Sequence, residues 1–360
     1  MVTDEDLARW RLRTQLLVRP HGRSATEVVG HLLAVQAENP RQSEWAVAAR
    51  TSTPRRADVP GLIADGTVVR THVLRSTWHY ALVEDIGWLL DLTAPRLLAN
   101  LDHQLATRGL DAAGLDRVAT LMAEALAAQP DSTRSELVEV LRTAGFDTES
   151  LFVLLVMARL EMAQLVCSGR PRDGEHTYAL FSERVPSPRR LERDEALAEL
   201  ALRYFTGHGP ATERDLAYWA TLTVTDVRRG LAVVRDQLAS FVHDGRTFWH
   251  AQGQGPHQGA GSPGAHLLQI LDEMYRGYQD SRWVLDAAGV VGRGRETSTG
   301  MALVDGQLVA GMKRTVTTTS VTFALSPHRP IASPDREALE QAARCYAAYL
   351  GVPQARLTGV

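Results

Sequence analysis

Residues 115–183, LDRVATLMAEALAAQPDSTRSELVEVLRTAGFDTESLFVLLVMARLEMAQLVCSGRPRDGEHTYALFSE, hold three helical patterns and a hairpin in one run. Residues 115–129 repeat apolar side chains at helical spacing. After Pro130, Ser132 or Thr133 stands where an N-cap belongs, and Gly145 stands where a helix ends. Residues 148–167 are apolar on nearly every face, which suits a mostly buried third helix. Gly169 and Asp173-Gly174 then supply turns before an alternating strand. Helix, turn, helix, helix and hairpin together make the winged-helix pattern.

The same grammar recurs on both sides. Downstream, residues 189–209 read as a helix ending in glycines. Thr212 is placed as an N-cap with Asp215 three residues on, close to a capping box. TVTDVRRGLAVVRDQL (223–238) follows as a third helix, and ASFVHDGRTFWHA (239–251) as a hairpin turning on Asp244-Gly245. Upstream, a more diverged copy predicts helices near 4–17, 24–36, 41–50 and 58–65, then strands across residues 67–82. Residues 83–105 form a connecting helix. Beyond residue 250 the texture changes. Residues 251–266 are Gly/Pro-rich and read as a mobile loop; their glycines miss the dinucleotide spacing. A short helix follows from 267, then strands at 282–294 and 299–325, with Asp305-Gly306 marking a hairpin, and a final helix over 333–351. The expected fold is mainly α with small β elements. It comprises three tandem winged-helix modules at 1–110, 111–188 and 189–251, and a C-terminal α+β cap over 252–360.

With 360 residues, 44% hydrophobic and 22% charged, the composition is that of an ordinary soluble protein. No run is long enough to span a membrane and MVTDEDLARW is no signal peptide, so the expected location is cytoplasmic. Cys167 and Cys345 lie in apolar, helical-looking stretches and read as buried reduced thiols, with no disulfide framework and no zinc site. No HExxH, zinc-type Cys pair or GxSxG elbow occurs, so no metal or cofactor is called for. A net charge of -3 argues against a wholly basic nucleic-acid binder, although local patches count for more than the sum. Lys313 is the sole lysine; the other basic residues are arginines, whose forks suit phosphates.

One stretch stands out chemically. In LLAVQAENPRQ (32–42) an apolar helix runs into Gln36-Ala37-Glu38-Asn39 and meets Pro40. Pro40 biases Asn39 toward extended geometry. Unwound there, the chain can turn Gln36 and Glu38 the same way as a polar pair; otherwise they are the solvated end of a helix.

Gln36-Ala37-Glu38, VVRTHVLRSTWHYALVEDIGWLL (68–90), LLQILDEMYRGYQDSR (267–282) and ALVDGQLVAGMKR (302–314) occur in order. Together they resemble the AlkZ/YcaQ-like winged-helix DNA glycosylases over nearly the whole chain, most specifically through VRTHVLRSTWHYA. The resemblance implies a C-shaped cradle of three winged helices around duplex DNA, with a Gln-x-Gln or Gln-x-Asp motif at its base. Gln36 and Glu38 fall on the motif's two positions, and Glu38 departs from it.

A carboxylate beside an N-glycosidic bond can stabilise the oxocarbenium-like transition state and take a proton from the attacking water, as Glu38 would. Gln36 can hold that water or a sugar oxygen. An N7-alkylated guanine is already cationic and leaves without protonation by the protein. Strand nicking needs an amine for a Schiff base, and only Lys313 and the N-terminus offer one, so a monofunctional enzyme is expected. Arg41, Arg70, Arg75, Lys313 and Arg314 are candidate phosphate contacts. Arg293 and Arg295, in a basic Gly-flanked hairpin tip (289–297), are candidates for a groove. His79 is a further candidate at the DNA; Trp78, on the opposite strand face, reads as core. The implied partner is duplex DNA carrying alkylated purines, bound by a monomer, in genotoxin self-resistance or crosslink unhooking. The alternative is a non-catalytic winged-helix DNA-binding protein, either a regulator or a family member that has lost activity. The apolar third helix of the middle copy is ill suited to a regulator's groove contact, while Arg228 and Arg229 in the next copy leave that alternative open.

Overall fold

The computed structural model describes residues 2–18, 21–256, 264–292 and 300–359, without the side chains of Pro40 and Arg41. The chain opens with α1 (Asp4–Thr14) and α2 (Ala25–Leu32), each started by a capping box, from Thr3 with Asp6 and from Ser24 with Glu27. The helix expected to reach residue 36 stops at Leu32, because Leu33 turns to φ 66° and residues 34–36 enter a sheet. That strand, β1 (Ala34–Gln36), leads to α3 (Pro40–Ala48), α4 (Asp58–Asp65), β2 (Val68–Val73) and β3 (Thr77–Leu82). Both strands pair antiparallel with β3, giving the order β1-β3-β2. The β2–β3 turn is tight, with Leu74 and Ser76 both at positive φ.

The long α5 (Val83–Ala106) connects to α6 (Ala112–Ala128), β4 (Ser132–Thr133), α7 (Arg134–Thr143) and α8 (Ser150–Met162). Thr133 caps α7 in a capping box, and Gly145 follows its end at φ 81°. The third helix was expected to run to 167. It ends at Met162 because Gln164 takes φ 58°, and Val166–Ser168 become β5, paired with β6 (Thr177–Leu180). Cys167 is therefore a buried strand residue rather than a helical one.

Next come a short α9 (Phe181–Arg184), then α10 (Arg193–His208), α11 (Glu213–Ala220) and α12 (Val224–Val234), followed by the hairpin β7 (Leu238–His243) and β8 (Arg246–Ala251). The Thr212/Asp215 capping box and the Asp244-Gly245 turn are where the sequence placed them. Gly230 lets α12 lie directly on α10, since a Cβ there would fall 2.2 Å from the Leu197 carbonyl oxygen. The main apolar core runs from the β2–β3 hairpin through α5 to α10 and α11, gathering Val69, Trp88, Tyr204, Phe205 and Trp219.

The remainder is β9 (Ala265–Leu268), α13 (Glu273–Arg276), β10 (Gly300–Val304), β11 (Gln307–Val316), β12 (Ser320–Pro327), α14 (Ser333–Leu350) and β13 (Gln354–Thr358). These strands form one sheet in the order β13-β12-β11-β10-β9, hinged on Asp305-Gly306 and backed by α14. Three expectations fail here. The short helix expected from 267 begins only at Glu273, because Leu267 and Leu268 pair with β10 as the end of β9. Residues 282–292 hold no strand: Arg282–Asp286 form a 3-10 turn, and the Asp286 carboxylate accepts the Val290 and Val291 N–H groups, which curls the backbone away from extension; residues 293 and 294 of that expected strand lie outside the described residues. Cys345 is exposed on α14 rather than buried. Of the expected mobile loop at 251–266, residues 257–263 lie outside the described residues. No helix among the described residues is long and apolar enough to cross a membrane.

Candidate active site at the edge of the first sheet

Gln36 ends β1, an edge strand, opposite His79 of β3. Its backbone N–H points away from β3, and such an outward donor needs a partner when buried. Glu273 of α13 supplies it: Oε1 accepts from Gln36 N at 3.0 Å. The other oxygen accepts from Trp219 Nε1 at 2.9 Å and from His208 Nε2 at 3.3 Å. Burial alone would raise the Glu273 pKa. The His208 hydrogen bond, with the charge of Arg75 nearby, outweighs it and holds the carboxyl at about 2.

The opposite edge of the sheet is closed in the same manner. On β2 the outward N–H of Arg70 donates to Ser168 Oγ at 2.8 Å, and that of His72 donates to Glu161 Oε2 at 2.7 Å. Glu161, fully buried on α8, also accepts from the Trp78 indole at 3.2 Å and lies 2.5 Å from His72 Nδ1. Burial pushes its carboxyl up, and the contacts with His72 more than offset this, leaving it lowered. Side chains from two distant parts of the chain, Glu161 with Ser168 and Glu273, thus clamp the small sheet that ends in Gln36.

Past Gln36 the ladder changes partners. Ala37 N donates to Trp78 O at 2.7 Å, but the Ala37 carbonyl turns to accept from Arg70 Nε at 2.9 Å. The Trp78 N–H then donates to Glu38 Oε1 at 3.0 Å, so the carboxylate stands in for the missing carbonyl. Gln36 closes a strand and Glu38 sits in the bend that leads to α3, so neither lies on the end of a helix. Glu38 is partly exposed, and no described side chain pairs with Oε2. A second fixed group lies beside it: Gln36 Oε1 accepts from Arg75 Nη2 at 3.1 Å, which leaves the amide NH2 as its donor.

Arg75 also donates to Trp219 O at 2.7 Å and reaches His79 Nε2 at 3.4 Å. Nδ1 of His79 lies 2.8 Å from the Thr77 carbonyl, so it carries the proton and Nε2 accepts. Burial, then the charge of Arg75, depress the His79 pKa to about 3, and the ring is neutral.

Three residues expected on DNA therefore face inward. Arg70 is 4% exposed, stacked over the Trp78 ring at 4.3 Å and tied to Ala37. His79 is fully buried, and Arg75 bridges Gln36 to α11 because the Leu74–Ser76 turn folds the hairpin tip onto the end of that helix. Trp78, read as core, is partly exposed at its rim against Arg70 and His72. Lys313 is exposed on β11, and Arg314 lies over the Tyr346 ring. The side chain of Arg41, and residues Arg293 and Arg295, lie outside what the structure describes. Sequence reasoning missed Glu161, His208, Trp219 and Glu273. Only Glu273 carried a signal, as one of three acids in LLQILDEMYRGYQDSR, with no role attached.

The helices that a regulator would present are compromised. α8 is buried along most of its length. On α12, Arg228 pairs with Glu213 at 2.7 Å and Arg229 with Asp194 at 2.6 Å. Among the described residues no cluster of His, Cys, Asp and Glu could hold a metal ion.

A family model described as DNA glycosylase AlkZ-like matches residues 29–349. An interstrand DNA cross-link repair glycosylase from Streptomyces sahachiroi is 27% identical over 256 residues, 66% of this chain and 66% of that relative's length. The solved structure of the Streptomyces sahachiroi DNA glycosylase AlkZ has the same fold, with a TM-score of 0.79 at 22% identity over 99% of this chain and 98% of that one.

Proposed function

The chain belongs to the AlkZ-like family of DNA glycosylases, and from that membership we propose that it hydrolyses the N-glycosidic bond of alkylated purines in duplex DNA. Bulky N7 adducts are the favoured substrates, and the product is an abasic site with the strand intact. Glu38 stabilises the oxocarbenium-like sugar and takes the proton of the attacking water through its unpaired oxygen. Gln36 holds that water with its amide NH2. The observation that carries this reading is the locked pair itself: a carboxylate and an amide, each fixed through one atom by Trp78 and Arg75, each with its other atom left over.

The three helix-rich parts, 1–110, 111–188 and 189–251, are read as winged-helix modules that cradle the duplex as a monomer, with 252–360 as a cap. Their repeated order of helices and short strands supports this. The Streptomyces sahachiroi relative is named for interstrand cross-link repair, which favours a bulky lesion and a role in unhooking. Lys313, Arg314, Arg41, Arg293 and Arg295 remain the proposed phosphate and groove contacts.

Duplex DNA carrying N7-methylguanine or a bulkier N7-alkyl adduct tests the proposal. Strand breaks that appear only after alkali are expected. DNA that is bound but stays intact would favour a non-catalytic binder, a reading that the neutralised Arg228 and Arg229 do not support.

A further inference from the structure

Between α3, which begins four residues after Gln36, and the C-terminal sheet lies a cleft of about 430 Å³. Gln42 of α3 lines one side, and Lys313 and Arg314 of β11 line the other. Trp45 and Tyr346, packed edge to face at 4.7 Å, help form its floor. Gln269, on the segment that leads from β9 to Glu273, closes one end.

Three features set this cleft apart. Gln269 is 4% exposed and Tyr346 1% exposed, yet Gln269 Nε2 and the Tyr346 hydroxyl have no hydrogen-bond partner. A buried donor without a partner costs about 1–3 kcal/mol, a cost removed if a ligand's acceptors fill the site. Next, Lys313 and Arg314 lack ion-pair partners among the described residues, whereas most exposed arginines of this chain are paired. Finally, every ionisable group lining the cleft is a cation or a phenol, and no carboxylate is among them. An excess of donors beside the unpaired Arg314, with Lys313 adding charge from the other face of the strand, fits a phosphate. The volume exceeds what one phosphate needs, and the aromatic floor leaves room for the sugar attached to it.

We propose that this cleft is a phosphodiester subsite, in which Gln269, Tyr346 and Arg314 grip one backbone phosphate of the lesion-bearing DNA and its sugar rests on the aromatic floor. The proposal rests on the glycosylase reading for its source of phosphate, and it adds a function to residues that the catalytic pair does not use. The subsite anchors the strand at a fixed distance from Gln36 through two short connections, α3 on one side and Gln269–Glu273 on the other.

The test reads binding alone, on a duplex with a tetrahydrofuran abasic analogue, so it holds whether or not base release is ever seen. One phosphate at a time is replaced by an uncharged methylphosphonate, and Kd is measured by fluorescence anisotropy for the wild type, Gln269→Leu, Tyr346→Phe and Arg314→Leu. One position near the lesion should cost the wild type about tenfold and cost each variant clearly less, least of all Arg314→Leu at under about twofold, with the salt slope of Arg314→Leu smaller by about 0.9. Gln269→Leu and Tyr346→Phe remove buried donors that have no partner, so melting temperatures that hold or rise are expected and separate lost contact from lost fold. Equal penalties in wild type and variants at every position would overturn the proposal. So would resonance shifts at Tyr346 with inorganic phosphate but no sensitive backbone position, which would assign the cleft to free phosphate instead.

Discussion

Replacing Glu273 by glutamine keeps the shape of the side chain and removes its charge. The carboxylate accepts from Gln36 N at 3.0 Å on one oxygen, and from Trp219 Nε1 at 2.9 Å and His208 Nε2 at 3.3 Å on the other. An amide can accept at only one of its two ends. Whichever way it turns, its NH2 confronts either the Gln36 N–H or the indole and imidazole donors. One orphaned buried donor costs about 1–3 kcal/mol. Arg75 also loses the carboxylate whose charge offsets its burial, and breaking a buried charge pair costs about 3–5 kcal/mol. A loss on the order of 4 kcal/mol is expected, against a stability of about 5–15 kcal/mol for a typical domain. Equilibrium urea unfolding followed by tryptophan fluorescence measures it. The pH dependence gives a second check. The folded pKa of about 2 lies below the ordinary 4.5, so the stabilisation is complete above pH 4.5 and is lost as pH falls toward 2. The gap between wild type and variant should therefore be constant above pH 4.5 and shrink below it. A loss under about 1 kcal/mol at neutral pH, or a gap that widens in acid, would refute the role given to Glu273.

His79 is held neutral with a pKa of about 3, below the ordinary 6.5, so the unfolded chain takes its proton first as pH falls. Stability should be full above pH 6.5 and decline below it by up to about 1.4 kcal/mol per pH unit from this group, and His79→Gln should flatten that slope in urea midpoints. Gly230→Ala forces a Cβ to 2.2 Å from the Leu197 oxygen and should destabilise the α10–α12 contact by about 1–3 kcal/mol or more, read from the same unfolding curves. Arg228→Ala and Arg229→Ala break only exposed ion pairs; each should change stability by under about 1 kcal/mol and leave DNA affinity within about threefold, whereas a regulator that reads DNA with α12 would lose far more. Lys313→Ala should retain base release, and borohydride should trap no covalent DNA adduct with the wild type.

Much of the helical layout could be read from caps and turn residues whose chemistry is local. Thr133 with Glu136, Thr212 with Asp215, and the Asp-Gly pairs at 244 and 305 each act within a few residues of themselves. Elements decided by distant partners could not be read so. Strand β1 exists because β3 pairs with it, and without β3 its residues look like the tail of α2. Strand β13 depends on parallel pairing with β12, and no local pattern announces that. The site divides along the same line. Gln36 and Glu38 stood out through Pro40, but the acids that brace them, Glu161 and Glu273, lie 125 and 237 residues from Gln36 and meet the sheet only after folding. Arg70 and Arg75 were expected to face phosphates because exposed arginine is the ordinary case. Arg70 instead satisfies the Ala37 carbonyl that the broken ladder leaves open, and Arg75 satisfies the Trp219 carbonyl at the end of α11 and the Gln36 amide oxygen.

The claim at the centre is that Glu38, with Gln36 beside it, performs the bond cleavage. Single-turnover release of an N7-alkylated base from duplex DNA, measured for wild type, Glu38→Ala and Gln36→Ala with affinity for the uncut duplex determined in parallel, tests it most directly. The account predicts alkali-dependent breaks with the wild type, a rate loss of roughly 10²-fold or more in Glu38→Ala, a clear loss in Gln36→Ala, and affinities within about threefold throughout. Wild-type rates in both variants would contradict it and leave QAEN as no more than the end of a strand.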